Sequence, residues 1–237
     1  MTIILEKIKR RMRRFLFGDY QRTYSQLGED LIIRSIFNAL KVENPSYLDI
    51  GAHHPTHLSN THLLYSTGSA GVCVEPDPIL YQRIKATRKR DICLNIGIGI
   101  DTTDQADFFV VEPSVLNTFS KEEVERSERS GNLKIKKIIK IPLLNVNEII
   151  IQYFQKTPNL ISIDVEGLDL KIVQSFDFSN HRPDVFCIET LVFGGNYSEI
   201  KIKEINNHMI ENGYFLYADT FINSIFVNKD AWQNRKN

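Results

Sequence analysis

The chain is short of cysteine, of glycine and proline, and of any excess charge, and each shortage excludes something. Only Cys73, Cys93 and Cys187 occur in 237 residues. They are odd in number, far apart in sequence and set inside apolar runs (GVCVEP, DICLNI, DVFCIET). Buried free thiols in a reducing cytoplasm fit this pattern; a disulfide framework or a zinc site does not. Twelve glycines and eight prolines are too few for a collagen-like or low-complexity chain. Lys and Arg number 29, as do Asp and Glu, so no global field attracts nucleic acid, which is not an expected partner. No apolar run approaches the roughly 20 residues that span a bilayer. The start, MTIILEKIKRRMRR, places its charge after its apolar residues and has no small-residue cleavage site, so no secretory signal is expected. What is present is ordinary for a globular domain with a substantial core: 42% hydrophobic and 24% charged residues.

One segment breaks the charge balance. Lys7, Lys9, Arg10, Arg11, Arg13 and Arg14 stand against Glu6 alone, while Ile4, Ile8, Met12 and Phe15 recur at helical spacing. Residues 1–23 therefore read as a basic amphipathic helix. It either packs on its own domain or, through residues 1–16, meets a phosphate-bearing substrate or the inner face of a membrane.

From residue 24 to 237 the pattern is that of one domain in which strands and helices alternate. Helices are expected over 25–40, 59–67, 78–89, 146–155, 168–176 and 197–212. Buried strands are expected at YLDI (47–50), GVCVEP (71–76), DICLNIGIG (91–99), NLISIDVEG (159–167) and PDVFCIET (183–190), with a final antiparallel pair at 213–219 and 222–228. Residues 104–144 form an irregular insertion with two further strands and a charged helix-like stretch. Alternation of this kind gives an α/β fold, a mostly parallel sheet covered on both faces. Ligands then bind beyond the carboxyl ends of the strands, at the point where strand order reverses.

The first strand ends in Asp49-Ile50-Gly51-Ala52-His53-His54-Pro55 and the second in Glu75-Pro76-Asp77. A glycine directly after the strand permits a tight turn and close ligand approach. An acid about two dozen residues on can accept from both hydroxyls of a ribose. Together they describe a site for an adenosine-bearing cofactor. A dinucleotide needs G-x-G-x-x-G, but the later glycine positions here hold bulky residues and Pro55 removes an amide donor. The turn suits a ligand without a diphosphate, such as S-adenosylmethionine, whose positive charges match Asp49, Glu75 and Asp164.

The segments YSQLGED (24–30), DIGAHHP (49–55), VEP (74–76), LNTFS (116–120) and DVEGLD (164–169) resemble, in order and spacing, the FkbM family of S-adenosylmethionine-dependent methyltransferases over residues 24 to 227. The resemblance implies a class I methyltransferase fold: a seven-stranded, Rossmann-type sheet with an antiparallel last strand. It further implies methyl transfer to hydroxyls of sugars or sugar-decorated products, here a nucleotide-linked sugar or a surface-polysaccharide precursor. By it Asp49, Gly51, Glu75 and Gly97 or Ile98 touch the cofactor, joined by Gln26, Ala52, Pro76 and Asp164 from the same segments. Pro55 departs from the family pattern, where many members carry glycine, so the methionine end of the cofactor is held differently.

Methylating a hydroxyl needs an in-line acceptor, a base or metal to take its proton, and exclusion of water. Candidates gather at the strand ends: His53, His54, Asp164, Glu166 and Glu189. Either a histidine is the base, or His54, Asp164 and Glu189 hold a Mg²⁺ or Mn²⁺ that activates the hydroxyl. Glu166 either acts in the site or braces the Gly167 turn. Asn117 and Thr118 are placed in a lid, and Phe193-Gly194-Gly195-Asn196 in a substrate-contacting loop. Phe108, Phe109, Phe186 and Phe193 are read as core. Two other functions share the pattern: a nicotinamide-dependent oxidoreductase, disfavoured by the missing glycines, and a non-catalytic methyltransferase-like scaffold.

Overall fold

The computed structural model describes residues 21–235 except 102, 130, 132, 166 and 194–198. The basic segment up to residue 20, Glu166 and the Gly194-Gly195-Asn196 loop lie outside the described residues.

Helix α1 (Glu29–Leu40) leads to β1 (Tyr47–Ile50), followed by α2 (His62–Ser66), β2 (Gly71–Val74), α3 (Pro78–Thr87) and β3 (Ile92–Leu94). The alternation is then interrupted by β4 (Gly97–Ile98), β5 (Gln105–Glu112), α4 (Lys121–Arg129) and β6 (Lys134–Leu144). It resumes with α5 (Val146–Tyr153), β7 (Leu160–Ile163), α6 (Asp169–Ser175) and β8 (Val185–Glu189). The chain closes with β9 (Leu191–Phe193), β10 (Glu199–Lys201), α7 (Lys203–Glu211), β11 (Tyr214–Asp219), β12 (Asn223–Asn228) and α8 (Lys229–Gln233).

Seven strands form one sheet in the order β11-β12-β8-β7-β1-β2-β3. Six run in the same direction, and β12 is antiparallel to both of its neighbours. This is the expected α/β class. Strands β1, β7 and β8 are buried at every position, as strands covered on both faces must be, and their near-continuous apolar runs follow from that. One face packs Leu48, Ile50, Ile161 and Phe186 against α5, α6 and α7; the other packs Tyr47, Cys73, Cys187 and Ile225 against Ile33, Ile36 and Phe37 of α1.

Most expected elements stand with trimmed ends, and two differ in kind. The strand read over 91–99 divides, because β4 leaves the main sheet to pair with β6, which in turn pairs with β5. Asn95 occupies the break, donating from Nδ2 to the carbonyls of Glu75 (2.9 Å) and Pro76 (2.8 Å). The helix read from 197 begins only at Lys203, and Glu199–Lys201 pairs with β9 instead.

Candidate functional site

Strand order reverses about β1, which lies between β2 and β7. The three strand ends are stitched together there: the Gly51 and Ala52 amides both donate to the Val74 carbonyl at 3.1 Å, and the Asp164 amide donates to Ile50 at 3.1 Å. Gly51 has φ +80, and a Cβ on it would lie 1.8 Å from the Asp164 carbonyl oxygen. Only glycine fits, for both reasons. A cavity of about 290 Å³ opens over this junction, near the lower end of the ~300–1,000 Å³ usual for ligand clefts. Gln26, Gly51, His53, Glu75, Pro76, Asp164 and Glu189 are among the residues that line it.

Each carboxylate in the cavity wall is held differently. Glu75 accepts from the His53 amide on Oε2 and the Asp77 amide on Oε1, both at 2.8 Å. Burial pushes its carboxyl up to about 7 against those two bonds. Asp164 is pushed up to about 6, first by burial and then by the charge of Asp49, while a hydrogen bond with Glu189 acts in the opposite sense. The two side chains thus form a carboxyl pair at adjacent strand ends. The turn beneath them is braced by Asp169, whose oxygens accept from the amides of Val165 (3.2 Å) and Gly167 (3.3 Å). Burial and Asp164 push the Asp169 carboxyl up to about 7. Asp169 thus braces this turn, while Glu166 lies outside the described residues.

Asp49 does not line the cavity. It accepts from Thr61 Oγ1 and lies 3.5 Å from Nη1 of Arg88. Burial raises its carboxyl and Arg88 opposes the rise. Arg88, 1% exposed, also donates to the Pro55 carbonyl (2.9 Å), Thr61 Oγ1 (2.7 Å) and Ser59 Oγ (2.5 Å). It ties the 55–61 segment, next to His53, onto β1. Of the other residues expected at the cofactor, Ala52 and Ile98 are buried in the core and Gly97 packs against the Phe119 ring, 2.4 Å from where its Cβ would stand. Gly97 thereby admits Phe119, which does line the cavity.

The two histidines separate. His53, with φ +47, sits in the cavity wall, and its buried Nε2 has no hydrogen-bond partner among the described residues. Burial holds its imidazole below the usual range. His54 turns its Nδ1 to the amides of Thr56 (3.2 Å) and His57 (3.0 Å) and does not line the cavity. The expected metal set of His54, Asp164 and Glu189 is therefore not assembled. Among the described residues no three His, Cys, Asp or Glu side chains gather as metal ligands.

Two outlying segments complete the wall. Asp30 accepts from Thr23 Oγ1, the Tyr24 amide and Ser25 Oγ, while Glu29 accepts from Leu27, Thr220 and Asn223. Burial favours a neutral Glu29, but these donors, Thr220 first, prevail and lower its pKa. The YSQLGED segment is thus pinned to the start of β12, with Gln26 at the cavity. From the insertion, Asn117 accepts from the Val111 amide (2.8 Å) and donates to Asp77 Oδ2 (3.0 Å). Thr118 pairs with Phe109. Asn117, Thr118, Phe119 and Phe108 all line the cavity, the two rings 4.7 Å apart. Phe108, read as core, is both buried and cavity-lining. Leu58, Leu80 and Ile222 were not foreseen there; nothing local in sequence marks them.

The Methyltransferase FkbM domain family matches residues 49–216, well over half of the chain. No curated protein matches. Among solved structures, a putative caffeoyl-CoA O-methyltransferase from Staphylococcus aureus is 12% identical, with a TM-score of 0.46 over 96% of this chain and 97% of that one. The magnesium protoporphyrin IX methyltransferase of Synechocystis, solved with bound S-adenosylmethionine, is 10% identical at a TM-score of 0.42, covering 93% and 90%. A putative methyltransferase from Escherichia coli is 12% identical at 0.44, covering 89% of each. The chain belongs to the FkbM family of methyltransferases, enzymes that draw the transferred methyl from S-adenosylmethionine.

Proposed function

We propose that the protein methylates a hydroxyl of a sugar, presented as a nucleotide-linked or surface-polysaccharide precursor, and that Asp164 takes the hydroxyl proton. The observation that carries the reading is the Asp164–Glu189 carboxyl pair facing the same cavity as Glu75 and Gly51. The donor set fits S-adenosylmethionine. Glu75 has spent two acceptor positions on amides, and an ionised carboxylate offers about four, leaving room for ribose hydroxyls. Gly51 allows close approach, and the acidic wall suits a cationic ligand. When bound, S-adenosylmethionine supplies an electrophilic methyl group.

The chain's own residues supply the rest. Asp164, its carboxyl pushed up to about 6, accepts the proton at its carboxylate, and that proton is then shared in the hydrogen bond with Glu189. General bases with such a pKa work best close to operating pH. His53 offers a neutral imidazole nitrogen to hold the acceptor's oxygen. Gln26, Ser114, Asn117 and Thr118 give the cavity hydrogen-bonding groups for neighbouring hydroxyls, and Leu58, Phe119 and Ile222 exclude water. His54 and His57, with ring centroids 6.0 Å apart, stand with Arg83 close enough to His53 to disfavour its charged form. That corner suits the phosphates of a nucleotide-linked acceptor. Such acceptors are made on the cytoplasmic side of the membrane, where we place the reaction. Among the described residues no helix is long and apolar enough to cross a membrane.

Calorimetric titration of S-adenosylmethionine, followed by a screen of nucleotide sugars for the mass gain of one methyl, tests the reading. Saturable binding and a methylated sugar are expected. Methylation confined to aromatic hydroxyls or amines would overturn the sugar assignment.

A further inference from the structure

The described structure leaves one pair of reactive side chains outside the site. Cys73 on β2 and Cys93 on β3 are direct partners in the parallel register. Sequence alone keeps them far apart; the fold makes them neighbours. Both pack on the same face of the sheet, against the cluster of Ile33, Phe37 and Tyr47. Neighbouring strands lie about 4.8 Å apart, and a disulfide needs a Cα separation of roughly 4.4–6.8 Å, so the spacing of paired strands falls within that range. Both thiols reach the same residue, Cys73 Sγ donating to Oδ2 of Asp91 at 3.5 Å and Cys93 Sγ to the Asp91 carbonyl at 4.0 Å.

We propose that Cys73 and Cys93 are a reversible dithiol–disulfide pair, closed by a hydroperoxide, lying directly beneath the Glu75 turn. Cys93 is half-buried and Cys73 buried, so an oxidant reaches Cys93 first. Interaction with Cys73 lowers the Cys93 thiol, whereas that same interaction and burial raise Cys73, and the thiolate is the nucleophile. The Cys93 sulfur attacks the peroxide O–O bond, forming a sulfenic acid and releasing water or an alcohol. The Cys73 sulfur then displaces the sulfenic oxygen as a second water, taking up the Cys73 proton. Two thiols are oxidised and one peroxide is reduced. Nη1 of Arg88 lies 3.4 Å from Cys73 Sγ, where its charge eases loss of the Cys73 proton as the disulfide closes. Such transient disulfides are the form expected in a reducing compartment.

The position of the pair gives the bond a consequence. Two residues beyond Cys73 is Glu75, and two beyond Cys93 is Asn95, which holds the Glu75 and Pro76 carbonyls. Fixing the strands at the cysteines constrains this turn. This last step rests on the cofactor reading above, and oxidation should then weaken S-adenosylmethionine binding, with dithiothreitol restoring it.

The test treats the full-length protein with stoichiometric hydrogen peroxide and then counts thiols and maps peptides under non-reducing conditions. Three thiols should fall to one, with Cys73 joined to Cys93 and Cys187 free. Cys187→Ser should form the same bond, and Cys93→Ser should form none while keeping its circular dichroism and melting temperature. Three thiols remaining, a bond to Cys187, or Cys93 carried on to sulfinic acid beside a free Cys73 would overturn the pair. Peptide mapping does not depend on the cofactor, so its result stands apart from the methyltransferase assignment. A disulfide that forms and leaves S-adenosylmethionine affinity unchanged would overturn the link to the Glu75 turn.

Discussion

Asp49 and Asp164 belong to neighbouring strands that meet at the same junction, yet their surroundings differ. Asp49 has a buried guanidinium at 3.5 Å and the hydroxyl of Thr61. Asp164 has another carboxyl, Glu189, as its hydrogen-bond partner, and no lysine or arginine pairs with it among the described residues. The first arrangement is complete within the protein and holds the 55–61 segment in place. The second is incomplete: its acid is pushed up to about 6 by burial and by Asp49, and a cation or a proton from outside would relieve it. An acid whose charge is already answered builds the scaffold, and the acid left unanswered at a strand end is the one we propose for the chemistry.

The largest effect should come from breaking the answered side. Arg88→Met leaves Asp49 and Asp91, 3.5 and 3.6 Å from the guanidinium, buried without that cation. Removing one partner of a buried pair costs about 3–5 kcal/mol, so urea unfolding should show a loss of that order, and Asp49→Asn in the same chain should recover part of it. On the unanswered side, Asp164→Asn should reduce kcat by about 10²–10⁴-fold, the range for loss of a general base, with melting temperature nearly unchanged. A smaller effect should appear in the pH profile. Wild-type kcat should rise with pH through about 6, as Asp164 loses its proton, and the Asp164→Asn variant should lose that limb. A structural role alone would not remove it.

Stability should move the opposite way with pH. The carboxyls of Glu75, Asp164 and Asp169 lie at about 7, 6 and 7 in the folded protein, above their unfolded values near 4. The folded state therefore binds more protons than the unfolded chain between about pH 4 and 7. This contribution is full below the unfolded values and is lost as pH rises through the folded ones. Melting temperature should decline from pH 5 to 8, and S-adenosylmethionine should flatten the decline, because a cation beside Glu75 and Asp164 favours their ionised forms. The smallest effect should follow Asn117→Ala, which unties the insertion from Asp77 and should raise the acceptor KM more than it lowers kcat.

Much of this was legible in the residues. Runs such as YLDI, LISI and VFCIE are apolar because both sheet faces are covered, and the acid or glycine at their ends marks where the chain meets the cavity. Gly51, Glu75, Asp164 and Glu189 follow from that rule. The division between Asp49 and Asp164 does not, because it depends on Arg88, which in TRKRD looks like surface charge until the fold buries it. Asp169 left a faint signal: an acid just after a glycine turn, at the start of a helix, can reach back to the turn's amides. His54 misled because its neighbours' amides claim its Nδ1, a local contact that composition cannot reveal. The split of β3 from β4 depends on β4 pairing with β6 of the insertion, a contact made across the sequence.

The most direct test of the contrast between scaffold and site is calorimetric titration of S-adenosylmethionine into folded Glu75→Ala and Asp49→Asn proteins beside wild type. A lost hydrogen bond to a charged group is worth about 1.5–3 kcal/mol, so Glu75→Ala should bind at least about tenfold more weakly, while Asp49→Asn binds within a few-fold of wild type. Loss of binding in Asp49→Asn with normal binding in Glu75→Ala would contradict the account.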